Sequence, residues 1–350
     1  MPQAPAVFAP PGSGIHLVRL RIHAVGPISS ASIATRIIPM PSTDTNPAMP
    51  ETTPHAAPDQ LGRFLLSDAG VRGVHVRLDE VWREIRGRAE YPVPVVEMLG
   101  EACAAAALFT GHAKVEGRLS VQLRGEGALR ALFAECTAAG TLRGIAQLGE
   151  GGVSRSLQEA VPGGVLAITI ENPGKGGREP IRYQGLVALS ADTLAGAFEG
   201  YFRQSEQLPT RLLLAADQHQ AAGLMLQKLP GDGGDADGWD RASLLFDTLG
   251  PAELLAEPAD VLIRRLFHQD APQWLGSRPL RFGCSCSRER VAAMLVSLGR
   301  EEVDAAVEAG GGTAEVRCQF CGQAYHFDQA EAGALFATPK ATAEAPGTLQ

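Results

Sequence analysis

The chain has 350 residues, 45% of them hydrophobic and 20% charged, with a formal net charge of −8. That length allows one large domain or two smaller ones, and the acidic balance disfavours a dedicated nucleic-acid binder, which needs a basic face. Six cysteines do not make a secreted disulfide scaffold of this size. No apolar run reads as long enough for a membrane span, so a soluble, cytoplasmic protein is expected.

Residues 1–58 are rich in Pro, Ala, Ser and Thr. They carry Arg19, Arg21 and Arg36, with no acidic residue before Asp44. Such a bias fits a disordered tail, or sequence upstream of a true start at Met40 or Met49, with a targeting peptide as the alternative. It is expected to add nothing to the core. From Asp59 the pattern is that of a folded domain. Over Leu78–Arg88, Val81, Trp82 and Ile85 share one helical face. Val93–Ala113 is apolar nearly all round, which predicts a buried helix starting near Pro94.

Alternation follows. Val115, Leu119, Val121 and Leu123 occupy odd positions, the period of a half-buried strand. Leu142–Leu148, Gly164–Asn172, Ile181–Leu189, Thr210–Asp217 and Ala221–Leu229 read the same way. Asp192–Gln207 reads as a helix capped by Asp192. Short strands in runs with helices between them predict an α+β domain around a largely antiparallel sheet, spanning 59–231. Gly231–Asp240 is a flexible break. Beyond it, 241–250, 251–258 and 259–269 are short helical patterns broken by Gly and Pro. Their apolar stripes are too short for a core of their own, so 232–283 reads as a helical linker that leans on something else and leaves it at modest cost.

Four of the six cysteines then fall in two windows. Cys284 and Cys286 form C-x-C, Cys318 and Cys321 form C-x-x-C, and 31 residues separate the pairs. Two close pairs around a short folded insert supply the four sulfurs of a tetrahedral site, and Zn²⁺, one ion per chain, suits that donor set best. Ser287 is placed to cap a helix through 288–299, a second helix ends at Gly310, and Gly322 allows a tight turn after Cys321. A domain over 284–338 has so little apolar content that it needs the metal to fold, and 339–350 reads as a disordered tail. The spacing alone leaves two readings open: a zinc staple, or a switch in which oxidation to two disulfides expels the metal. Cys103 and Cys136 lack a neighbouring cysteine and read as structural. His326 lies near Cys321, but four thiolates already complete the set.

At these residues the chain resembles the redox-regulated chaperones of the bacterial thirty-three-kilodalton heat-shock class. "CSCSRERV" and "CQFCGQAYHF" are similar to that family's zinc motif. "DQLGRFLL" at 59–66, "RYQGLVAL" at 182–189, "YFRQSEQLPTRL" at 201–212 and "AAGLMLQKLPG" at 221–231 are similar to its core motifs, in the expected order. The resemblance covers about 59–330. It implies that Cys284, Cys286, Cys318 and Cys321 hold zinc in a reduced, inactive form. It further implies that oxidant pairs Cys284 with Cys286 and Cys318 with Cys321, releasing zinc and unfolding the C-terminal module. The metastable linker 232–283 would then expose apolar surface that holds unfolding client proteins without ATP, in a form that tends to dimerise. No enzyme activity, nucleic acid or membrane enters this scheme, and no Walker-type phosphate loop is present.

Two rivals differ in class. For a zinc-ribbon nucleic-acid module, Arg288, Arg290, Arg300 and Arg317 face seven acids over 284–330, so four minus seven leaves −3 before metal, which disfavours phosphate binding. A thiol oxidoreductase using C-x-x-C wants a thioredoxin-like βαβ setting, and none surrounds Cys318 and Cys321.

Overall fold

The computed structural model describes residues 59–337 apart from 175–178, 188 and 232–233, together with the backbone of β1 (Val18–Leu20). The expectations for 1–58 and 339–350 otherwise lie outside the described residues. The one exception differs from expectation: β1 pairs antiparallel with a C-terminal strand, Val18 opposite Cys318. The chain divides into two compact units between Cys284 and Ser285, with β1 belonging to the C-terminal one.

In the larger unit, β2 (Gln60–Leu66) and β3 (Val71–Leu78) lead into α1 (Glu80–Arg86) and α2 (Val93–His112). A meander follows of β4 (Arg118–Arg124), β5 (Leu129–Thr137) and β6 (Thr141–Leu148), then α3 (Leu157–Ala160), β7 (Val165–Asn172) and β8 (Ile181–Val187). After α4 (Leu194–Tyr201) come β9 (Thr210–Ala216), β10 (Ala221–Lys228), α5 (Gly238–Phe246), α6 (Pro251–Ala256) and α7 (Ala259–Phe267). The unit ends on β11 (Gln273–Pro279) and β12 (Arg281–Phe282). The strands form two sheets, ordered β11-β2-β3-β10-β9 and β12-β6-β5-β4-β7-β8. All pairings are antiparallel except β12 with β6.

Helix α2 explains the arrangement. Its uniform apolarity suits burial on every side, and its residues share one core with Val74, Val76 and Leu78 of the first sheet and Leu119, Val121 and Leu132 of the second. At 20 residues it is long and apolar enough to cross a membrane, contrary to the sequence expectation, but 83% of its most apolar window is buried inside the protein. It is a core helix.

Other differences from the sequence reading come from packing and from partners distant in the chain. Strand β5 shows no alternation because Ala131–Cys136 is buried without a break, which erases the period of 2. Asp192 does not cap α4. Thr193 does, its hydroxyl accepting from the Gly196 amide at 3.1 Å, while Asp192 Oδ1 accepts from Ser156 at 3.0 Å. The helix then widens into a π turn over Phe202–Glu206 and stops at Gln207, whose φ of 56° is left-handed.

The 232–283 segment is helical only in part, since β11 completes the first sheet and β12 extends the second. Helices α5–α7 cover the first sheet's outer face, where Leu254, Leu262, Ile263 and Phe267 join Phe64, Leu66, Val71 and Leu224. The fit depends on missing side chains: a Cβ on Gly73 would stand 2.0 Å from the Phe64 ring, and one on Gly62 would stand 2.6 Å from Trp274. Arg241 anchors α5 to the fully buried Asp270 at 2.5 Å.

The C-terminal unit holds α8 (Arg288–Leu298), α9 (Arg300–Ala309), β13 (Thr313–Cys318), β14 (Ala324–Asp328) and α10 (Gln329–Leu335). Ser287 caps α8 as its sequence position predicts, accepting from the Arg290 amide. Val291, Leu295, Val303, Val307, Val316 and Phe327 form its small core.

Candidate metal centre

Cys284 follows β12, whose partner is β6. Phe282 sits opposite Leu142, and the Gly283 amide donates to the Leu142 carbonyl at 3.1 Å. Cys286 precedes the α8 cap. Cys318 ends β13, and Gly322, at φ +74°, turns the chain from Cys321 into β14. That turn is closed by the Gly322 amide donating to the Cys318 carbonyl at 2.8 Å and the Cys318 amide to the Gln323 carbonyl at 2.9 Å.

These elements gather the four sulfurs that the spacing singles out. All lie within 4.8 Å of one another, and Cys286 and Cys321 stand 3.3 Å apart across the two motifs. None is disulfide-bonded. Four sulfurs at mutual contact can hold one metal ion, and an all-sulfur set of this size suits Zn²⁺. Cys318 is buried and the other three are half-buried, so solvent and small oxidants reach the site.

Two neighbours carry no sequence signal that could have found them. The Tyr325 hydroxyl hydrogen-bonds Cys286; burial, this bond and the nearby thiolates together push its pKa up. Arg143, 2% exposed, reaches Cys284 with Nη1 at 3.8 Å while Nε and Nη2 both meet Glu135 Oε1 at 2.9 Å. Arg143 lies 141 residues before Cys284 and is brought beside it only by sheet pairing.

Cys103 and Cys136 are each 0% exposed in the core around α2. Burial pushes the Cys103 thiol far up and the Cys136 thiol to about 11. Iodoacetamide on the folded, reduced protein should therefore leave both unmodified, and unfolding should add a label to each of them. Intact mass and peptide mapping check this; labelling of Cys103 in the folded state would contradict the packing.

Residues 59–328 match the family model described as Hsp33 protein. The "33 kDa chaperonin" of Ectopseudomonas mendocina is 43% identical over 291 residues, covering 81% of this chain and 96% of that protein. The protein of the same name from Nitrosococcus oceani is 40% identical over 278 residues, covering 79% and 94%. Among solved structures, the Thermotoga maritima Hsp33 homologue has the same fold, with a TM-score of 0.64 at 22% identity over 79% of this chain and 97% of that one. The matched region takes in the core sheets, the 232–283 segment and all four clustered cysteines, and the chain belongs to the Hsp33 family of chaperones.

Proposed function

We propose that the protein is a cytoplasmic, ATP-independent holdase switched on by oxidation, with one Zn²⁺ on Cys284, Cys286, Cys318 and Cys321 in its reduced, inactive form. The observation that carries this reading is the closed set of four half-buried or buried sulfurs within 4.8 Å. A zinc-bound set has no spare ligand, so losing any sulfur weakens the whole centre. Oxidation would join Cys284 to Cys286 and Cys318 to Cys321. Forming each disulfide would transfer two electrons from its thiolate pair to one peroxide, whose O–O bond breaks; with two protons taken up per peroxide, two waters form, and the joined sulfurs could no longer hold the metal.

The core of the 284–338 module consists of a few aliphatic side chains and Phe327, too small to hold the fold without its metal. Unfolding would spread to the 232–283 linker, whose helices have six to nine residues each and are held chiefly by one apolar face. The uncovered surface would bind partly folded client proteins, and the oxidised chain would dimerise, without nucleic acid or membrane.

Light scattering from a heat-unfolded client tests the reading, with the protein added either reduced and zinc-loaded or peroxide-treated. Zinc release is followed in the same tubes with a chromogenic chelator. Suppression only by the oxidised sample, in step with zinc release, is expected. Equal behaviour of both samples would make zinc a staple.

A further inference from the structure

The geometry points to Arg143 as the residue that sets how fast the metal centre yields to oxidant, by hydrogen-bonding the Cys284 sulfur from the core sheet. This inference rests on the proposed zinc site. Glu135 and Arg143 face one another directly across β5 and β6, and the paired Arg143 is 2% exposed. Nε donates to Glu135 Oε1 at 2.9 Å and Nη2 lies 2.9 Å from the same oxygen as an ion pair, which holds the guanidinium with Nη1 3.8 Å from Cys284 Sγ. The Phe133 ring, its centroid 6.0 Å from the guanidinium carbon, lies against the same group. On the other side, pairing of β12 with β6 and the Gly283–Leu142 hydrogen bond deliver Cys284 to this spot. Both partners of the N–H···S contact are thus positioned by backbone pairing rather than by a flexible loop.

A donor bonded to a metal-bound thiolate draws electron density from the sulfur and steadies the ligand. A less electron-rich sulfur attacks the peroxide O–O bond more slowly. Arg143 is therefore a positioning residue that restrains the first oxidation step at Cys284. It would keep the reduced form silent at low oxidant levels.

The test uses the full chain, reduced and loaded with one Zn²⁺. Arg143→Lys keeps a cation for Glu135, but a single ammonium cannot span both the carboxylate and the sulfur. Zinc release under fixed peroxide excess should quicken by about tenfold, in the range seen when outer-shell partners of metal ligands are removed. Loading with Co²⁺ should show a shifted sulfur-to-metal charge-transfer band, which a merely structural role would not move. Combining Arg143→Lys with Cys284→Ser should add less than about twofold to the release rate of Cys284→Ser alone. Should Arg143→Lys lose its thermal transition, Arg143→Gln with Glu135→Gln, which leaves no buried charge unpaired, takes its place. Unchanged release and an unchanged band in either folded, zinc-loaded variant overturn the inference. Absence of zinc from the unmutated reduced protein would instead overturn the site reading on which it rests.

Discussion

Cys318→Ser combined with Cys321→Ser is expected to abolish stoichiometric zinc binding and to unfold the C-terminal unit while leaving the core around α2 intact. Structural Zn²⁺ sites bind with apparent free energies of about 10–16 kcal/mol near neutral pH. Loss of two of four thiolates removes on the order of half, about 5–8 kcal/mol or roughly four to six decades in affinity. The C-terminal unit has little else to hold it: its core is built from Val291, Leu295, Val303, Val307, Val316 and Phe327 with small partners. The larger unit keeps its own core around α2, which draws on both sheets. Zinc content by mass spectrometry and amide exchange resolved over 285–337 check the result. The double variant should also suppress client aggregation without oxidant. Zinc bound as tightly as in the parent would sink the ligand assignment.

Docking of the linker on the first sheet should weaken in acid through His75. This side chain lies on β3 on the same face as Val71, opposite Leu224 and Gly62, and is 2% exposed. The Trp274 ring covers Gly62, and Leu224 belongs to the cluster that α5–α7 cover. Its Nε2 has no hydrogen-bond partner among the described residues. The charged neighbour on its face is Arg77, which is tied to Asp79 by an ion pair and donates to the Glu257 carbonyl at 3.5 Å. Burial first, and then Arg77, pull the His75 pKa down to about 4 from an ordinary 6.5.

The folded pKa is depressed, so the docked state keeps its full stability above about 6.5 and loses it progressively as pH falls toward 4. The loss approaches about 3 kcal/mol, of which about 2 kcal/mol is gone by pH 5. His112, lowered to about 3 by burial and Arg72, acts in the same direction, whereas Glu101, raised to about 7 by burial, acts oppositely as pH rises from 4.5. His75→Leu isolates the His75 share. Limited proteolysis across 232–272 at pH 5 and pH 7.5 should show acid-sensitive cleavage in the parent and a much flatter response in the variant. Equal pH slopes for the two proteins would contradict this account.

Much of the candidate metal centre was legible in the sequence because cysteine spacing is local. Cys284 with Cys286 and Cys318 with Cys321 are paired by the chain itself, and Ser287 and Gly322 announce the cap and turn that bracket them. The helix α2 was legible for a similar reason, as a 20-residue stretch that is apolar nearly all round is too long for a strand. Strand-length runs bounded by turn residues also revealed β4, β6, β7, β9 and β10, although burial alternates only in β4 and most of β9. What escaped depends on distant partners. Strand β5 loses its alternation to burial on both faces, and β11 and β12 sit in a segment whose preceding helices dominate its pattern. Asp192 and Thr193 are equally good caps by residue type, and Ser156, 36 positions away, claims the first.

The sequence by itself singled out the four clustered cysteines, the family and the α+β class, since all are written in short-range spacing or in motif order. Only the tertiary structure decided that β6 carries Arg143 to the Cys284 sulfur and that β3 places His75 beneath the α5–α7 segment. A hydrogen bond across 141 residues and a buried His75 Nε2 without a hydrogen-bond partner among the described residues are properties of strand register, and register is set by sheet pairing over the whole unit.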